Sequence, residues 1–243
     1  MIKKYSVTIL TFLFSISLSY AQQQRNVSDQ MTGLSSGGQN TFSLINFAPL
    51  PPKGLKGDYY YVDEWRTGSF KLTNDNVYED VLIKYYTDND LIVFDQKGEK
   101  KTVNGRNVSS FTWTNPESGE REFFVNAKNY KLDGVPFTRG FLRVWNEGEI
   151  KMLSKREFWI KEADYDARLG AGKRFDEIKF NDDFYIGKNG EIVLVENSRK
   201  KTIKKVRKLL GMSNIETYVK AEKIKFKNPE DIEKFVQFLN SKN

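Results

Sequence analysis

Between Asp58 and Val195 the chain repeats one pattern: a short run of aromatic and β-branched residues closed by turn-forming ones. That repetition admits little besides antiparallel β structure. Tyr59 to Val62 is followed, past Trp65, by Ser69 to Leu72. Asn74-Asp75-Asn76 turns the chain into Val77 to Tyr86, where Val81, Ile83 and Tyr85 alternate with Asp80, Leu82 and Lys84. Asp88-Asn89-Asp90 precedes Leu91 to Phe94, and Lys97-Gly98 and Asn104-Gly105 mark the turns on either side of Val103. Val108 to Trp113 and Glu122 to Val125 continue the series. Phe141 to Trp145 and Ile150 to Ile160 flank Asn146-Glu147-Gly148, and Phe184 to Ile186 and Ile192 to Val195 flank Gly187-Lys188-Asn189-Gly190; both read as hairpins. A polar stretch, Ala163 to Lys173, separates the two pairs. Turn signals every 8–12 residues or so are the spacing of a meander, sandwich or barrel. We therefore expect a mainly β protein with C-terminal α structure. It is an antiparallel β sandwich or open barrel of about ten strands over residues 57–196, followed by a three-helix tail. The strands are short, carry charge on both faces and give way to helix at the C-terminus, which argues against a membrane barrel.

The tail, residues 197–243, changes period from two to 3.6. Arg199 to Leu210 sets Ile203, Val206 and Leu210 on one stripe, and Gly211 stops the helix. Ser213 with Glu216 reads as a capping box for a second helix reaching about Lys223. Asn228, Pro229, Glu230 and Asp231 form the start of a third, whose stripe is Ile232, Phe235, Val236 and Leu239. Such short amphipathic helices cannot bury their stripes alone, so they are expected to pack on one another and on the β body.

The start of the chain speaks to compartment. Lys3 and Lys4, the apolar run Val7 to Leu18 and the small residues of Ser19-Tyr20-Ala21 read as a secretory signal peptide, residues 1–21. Residues 22–56 lack sustained periodicity and read as an extended leader, partly disordered, with one apolar patch, Phe42 to Phe47, expected to dock on the body. The chain has no cysteine, so no disulfide supports it, and its 18 Phe, 12 Tyr and 4 Trp must supply the core.

Catalytic and metal motifs fare poorly. The chain has neither His nor Cys, which removes the usual zinc, copper and haem ligands and the usual proton-accepting imidazole. Gly33-Leu34-Ser35-Ser36-Gly37 has the outline of a nucleophile elbow but lies in the leader without a histidine. Ser198 to Lys201 matches Ser-x-x-Lys, yet Ser198 reads as an N-cap and the lysine lies in a cationic run. Leu169 to Lys173 lacks the spacing and the Ser/Thr of a phosphate loop. Asp164-Tyr165-Asp166 and Asn181-Asp182-Asp183 offer oxygens without EF-hand spacing. No cofactor is expected.

Charge is unevenly placed. Residues 197–243 hold 13 Lys and Arg against 5 Asp and Glu, whereas residues 22–196 sum to −3. Seven cations fall within ten residues: Arg199, Lys200, Lys201, Lys204, Lys205, Arg207 and Lys208. Such a helix suits an acidic protein surface or an anionic envelope surface, and a solvated face is the plainer alternative. Nucleic acid does not fit an exported chain with an acidic body.

The order of signal peptide, β-rich body and Lys-rich helices resembles a broad group of Gram-negative envelope proteins. The matching pieces are Phe184-Tyr185-Ile186-Gly187, Lys200 to Leu210, Ile215 to Lys220, Lys223 to Lys227 and Asp231 to Val236. The resemblance implies residence in the periplasm or at the periphery of the outer membrane, and no activity or site residue. Together these readings lead us to expect a non-enzymatic envelope-associated protein, an accessory subunit that binds an outer-membrane or periplasmic protein and is not itself an integral membrane protein. The alternative is glycan binding or carboxylate-based glycan processing, with Trp65, Trp113, Trp145 and Trp159 as a stacking platform.

Overall fold

The structure is a computed structural model in which residues 53–242 are described; the stretch read as a signal peptide, the Phe42 to Phe47 patch and the Gly33 to Gly37 motif lie outside them. The period-two runs form strands because alternate residues bury one face. In β3 (Val77–Tyr86), Val81, Ile83 and Tyr85 are buried while Asp80 and Leu82 face out. The other strands are β1 (Leu55–Lys56), β2 (Arg66–Leu72), β4 (Leu91–Gln96), β5 (Glu99–Asn104), β6 (Val108–Thr114), β7 (Arg121–Asn126), β8 (Lys131–Leu132), β9 (Val135–Pro136), β10 (Phe141–Val144), β11 (Lys151–Lys161), β12 (Asp176–Lys188) and β13 (Glu191–Leu194). They form one sheet in the order β5-β4-β3-β2-β6-β7-β10-β11-β12-β13-β8-β9, with β1 beside β12. All pairings are antiparallel except β1 with β12 and β13 with β8. Three two-residue turns have both residues at positive φ, the form that matches strand twist: Lys97-Gly98 (56°, 86°), Asp133-Gly134 (49°, 84°) and Asn189-Gly190 (54°, 80°).

The sheet does not close, but it curls strongly. Tyr61 touches Tyr85 on β3, Trp113 on β6 and Phe124 on β7, and its carbonyl accepts from Arg156 on β11. Those strands span six places in the sheet order, farther than one side chain reaches across a flat sheet. The concave face holds two cores. One is aromatic, built on Phe70, Phe94, Phe111, Trp113, Phe124 and Phe141, with Tyr61 laid across it. The second, over Ile150, Met152, Ile186, Val193 and Val195, is covered by the three helices α1 (Arg199–Leu210), α2 (Ile215–Ala221) and α3 (Pro229–Ser241). On the opposite face, Leu142, Leu153, Tyr185 and Ile192 are covered by residues 127–137. Helices and sheet belong to one compact unit.

The expected class, mainly β with three C-terminal helices, is the observed one, in its open form. Thirteen strands appear because three have only two residues. Three local readings differ. Tyr59 to Val62 is not a strand; it crosses the concave face and makes one isolated bridge, Tyr60 to Tyr86. β12 starts at Asp176 rather than at Phe184, because Asn181-Asp182-Asp183 belongs to the strand: Asp182 pairs across the ladder with Arg156, at 2.8 and 2.9 Å. The Ser213 capping box does not form; Asn214 is at the N-cap of α2, which ends at Ala221.

Candidate functional site

α1 forms where the notable residues have good helix propensity and where Gly211, at φ 70°, donates its N–H to the Arg207 carbonyl and closes the last turn. Its inner stripe, Ile203 and Val206, joins the core with Val193 and Val195 of the sheet end. Ser198 occupies the N-cap position without a side-chain cap bond. One turn on, the buried Thr202 hydroxyl accepts from the Glu196 N–H and donates to the Glu196 carbonyl, both at 2.9 Å. That bond pair fixes the roll of the helix, and with it which cations face out.

The seven predicted cations divide into two flanks. Lys201 and Lys205 turn towards the sheet: Lys205 Nζ lies 3.1 Å from Glu196 and 3.7 Å from Asp133, and Lys201 Nζ lies 3.4 Å from Glu196. The bond from Lys205 holds the Glu196 carboxyl below its usual range, and Glu196 in turn raises the Lys205 ammonium. Arg199, Lys200, Lys204, Arg207 and Lys208 line a groove of about 760 Å³ together with Ile203, Gly211, Met212, Ser213 and Glu216. Its wall is cationic, its lining includes apolar Ile203 and Met212, and Glu216 contributes one carboxylate. Glu216 is itself paired with Lys220, at 3.1 Å. Among the described residues Lys200, Lys204, Arg207 and Lys208 make no ion pair, and all four are exposed.

This face opposes the local stability of its own helix. The first turn carries Arg199 and Lys200 and no acid, against the positive end of the helix dipole. Lys200, Lys204 and Lys208 repeat at four-residue spacing, and each such like pair costs roughly 0.2–0.5 kcal/mol. Packing of Ile203 and Val206 outweighs the penalty, but the fold does not require the charges. Cations held together against local energetics are a feature of binding faces.

The other sequence candidates fall elsewhere. Ser198 and Lys201 do not meet, since Lys201 is engaged by Glu196. Lys173 of the Leu169 to Lys173 stretch bonds Glu177. Asp164 and Asp166 accept backbone N–H groups of their own loop, and Asp182 holds Arg156. The tryptophans do not share a platform: Trp113 is fully buried, Arg143 lies 3.9 Å over the Trp145 ring, and Lys84 and Lys100 each lie 5.6 Å from the Trp65 ring centre.

One cluster was not legible beforehand. Glu122, 5% exposed, receives Arg66 at 2.9 Å and the Trp113 indole N–H at 2.6 Å on one oxygen, and Arg143 at 3.3 Å and Asn115 at 3.4 Å on the other. It lies beside the aromatic core, and its partners come from 56 residues upstream to 21 residues downstream. The only sequence signal was a charged residue at an inward place in β7, two residues before Phe124.

These features define a curled open antiparallel sheet whose helical layer displays a basic groove. Comparison of the chain with protein families, curated proteins and solved structures finds no match.

Proposed function

We propose that the chain is an exported, envelope-associated binding subunit that attaches to an outer-membrane or periplasmic protein by seating an acidic segment in the groove of α1 and α2. The observation that carries this reading is the row Lys200, Lys204, Arg207 and Lys208: without an ion pair among the described residues, exposed, held on one side of a packed helix, and bordering apolar Ile203 and Met212. An acidic segment with apolar anchors complements both the wall and the lining. The role is binding rather than catalysis, in keeping with a chain without His or Cys. Glycan recognition has less support, because the faces of Trp65 and Trp145 are occupied by cations and Trp113 is in the core.

The test is affinity purification from gently solubilised envelopes at several salt concentrations, with the parent chain and a variant carrying Lys200→Glu, Lys204→Glu, Arg207→Glu and Lys208→Glu. The reading expects stoichiometric recovery of one envelope protein, weakened by salt and lost in the variant. Recovery of the chain alone at every salt concentration overturns it.

A further inference from the structure

The β11–β12 ribbon outruns its neighbours. Eleven residue pairs join the two strands, from Lys151–Gly187 to Lys161–Glu177. β10 pairs with β11 only at Leu153 and Ser154, and β13 reaches β12 only back to Tyr185. Tyr59 packs on Phe158 and Arg156 grips the Tyr61 carbonyl, bracing the ribbon near its middle. Among the described residues the only further strand partner past Lys155 is two-residue β1, and six more residues carry β11 about 20 Å outward.

The tip, residues 162–175, is tied to itself. The Asp164 and Asp166 N–H groups donate to the Lys173 and Ala171 carbonyls. Four of the five acids are engaged locally: the Asp164, Asp166 and Asp176 carboxylates accept backbone N–H groups of Lys173, Arg168 and Ala163, and the buried Glu177 is ringed by Lys56, Lys173 and Lys179. Leu169 (77% exposed), Phe175 (64%), Trp159 (51%), Ile160 and Tyr165 are left outward. Arg168 extends beside them, and Arg174 lies over the Tyr165 ring. Trp159 and Ile160 are consecutive in a strand and so face opposite sides of the ribbon. The end of the ribbon therefore presents exposed apolar side chains on both sides as well as at its apex, set among charged ones.

We infer that this tip is an interfacial anchor that enters the headgroup region of a lipid bilayer. Insertion into a bilayer interface covers exposed side chains on both sides of a narrow ribbon and at its apex together, whereas docking on one side covers only that side. Aromatic rings with Arg and Lys at their margin suit a bilayer interface, where rings sit among headgroups and long cations reach back to water. Acids and bases balance across residues 161–179, five of each, so insertion is led by apolar area. Its salt dependence is weak, in contrast to the groove.

The absence of cysteine allows a local test. Ala167→Cys in the full chain, labelled with an environment-sensitive fluorophore, is titrated with phosphatidylcholine vesicles and with vesicles containing phosphatidylglycerol. Val77→Cys, exposed on β3, serves as the control. The inference expects a blue-shifted, brighter signal at 167 and none at 77, retained at high salt and in the groove variant. Leu169→Ser with Phe175→Ser is expected to weaken partitioning roughly tenfold or more. No change at 167, an equal change at 77, or binding unaltered by the Leu169 and Phe175 substitutions overturns it. The last outcome would assign the membrane affinity to another part of the chain.

Discussion

Glu122→Gln probes the tertiary arrangement most directly. The substitution preserves shape, so a loss of stability reports on charge and hydrogen bonding alone. All four partners of the carboxylate are donors: Arg66 and Trp113 on one oxygen, Arg143 and Asn115 on the other. Whichever way the Gln amide is turned, its NH₂ faces two donors. Arg66 is 9% exposed and its Nε already has no partner among the described residues, so its guanidinium has little recourse to water. Arg143 is a fifth exposed and can turn outward, so the cost falls mainly on Arg66 and the Trp113 indole. Breaking a buried pair from one side costs about 3–5 kcal/mol. For a body of this size that lowers the melting temperature by roughly 10 °C. Urea titration followed by tryptophan fluorescence and by far-UV circular dichroism measures it. Adding Arg66→Met removes the stranded cation, and the pair is expected to be non-additive by at least about 1 kcal/mol. A Glu122→Gln cost under about 1 kcal/mol would refute the reasoning, because it would mean that water reaches the cluster.

Three further outcomes follow from other parts of the molecule. Lys200→Glu places an acid in the first turn of α1 and relieves its repulsion with Lys204; stability rises by about 0.5–1 kcal/mol in urea titration while partner capture falls. Gly68→Ala puts a Cβ 2.0 Å from the Thr112 carbonyl oxygen and 2.8 Å from the Trp113 Cα, both backbone, so β2 must separate from β6; a loss of about 3 kcal/mol, the upper end of overpacking costs, is expected, read as a lowered urea midpoint. Glu177, bonded by Lys173 and Lys179, has its carboxyl lowered from 4.5 to about 2. It takes up its proton more readily unfolded than folded, so its stabilisation is complete above about pH 4.5 and is lost as the pH falls through 2. The gap in urea midpoint between the parent and Glu177→Gln therefore closes over that window, and a gap constant with pH would contradict the assignment.

Much of the architecture was legible because it rests on local rules. The alternation in Val77 to Tyr86, the turns at Lys97-Gly98 and Asn189-Gly190, Gly211 as a helix stop and Asn228-Pro229 as a helix start depend on residues within a few places of one another. The misread stretches are those where a distant partner overrules local preference. Asn181-Asp182-Asp183 has turn composition, but the guanidinium of Arg156, 26 residues away, holds Asp182 in a ladder. Tyr59 to Val62 has strand composition, but its rings find more to bury across the concave face than along a strand edge. Of the candidate site, the seven cations were identified by composition, whereas their division into paired and free ones was not.

The sequence by itself determined the period of each element, the three amphipathic helices and the concentration of positive charge on α1, because periodicity, capping and charge are properties of neighbouring residues. Tertiary structure decided what those elements do together. The curl of the sheet places Tyr61 over β3, β6, β7 and β11 at once. The Thr202 hydroxyl rolls α1 so that Lys201 and Lys205 meet Glu196 and the other five cations line the groove. Glu122 gathers two arginines that lie 77 residues apart in the chain. Contacts of that separation depend on which surfaces the sheet brings face to face, and no stretch of sequence carries that information alone.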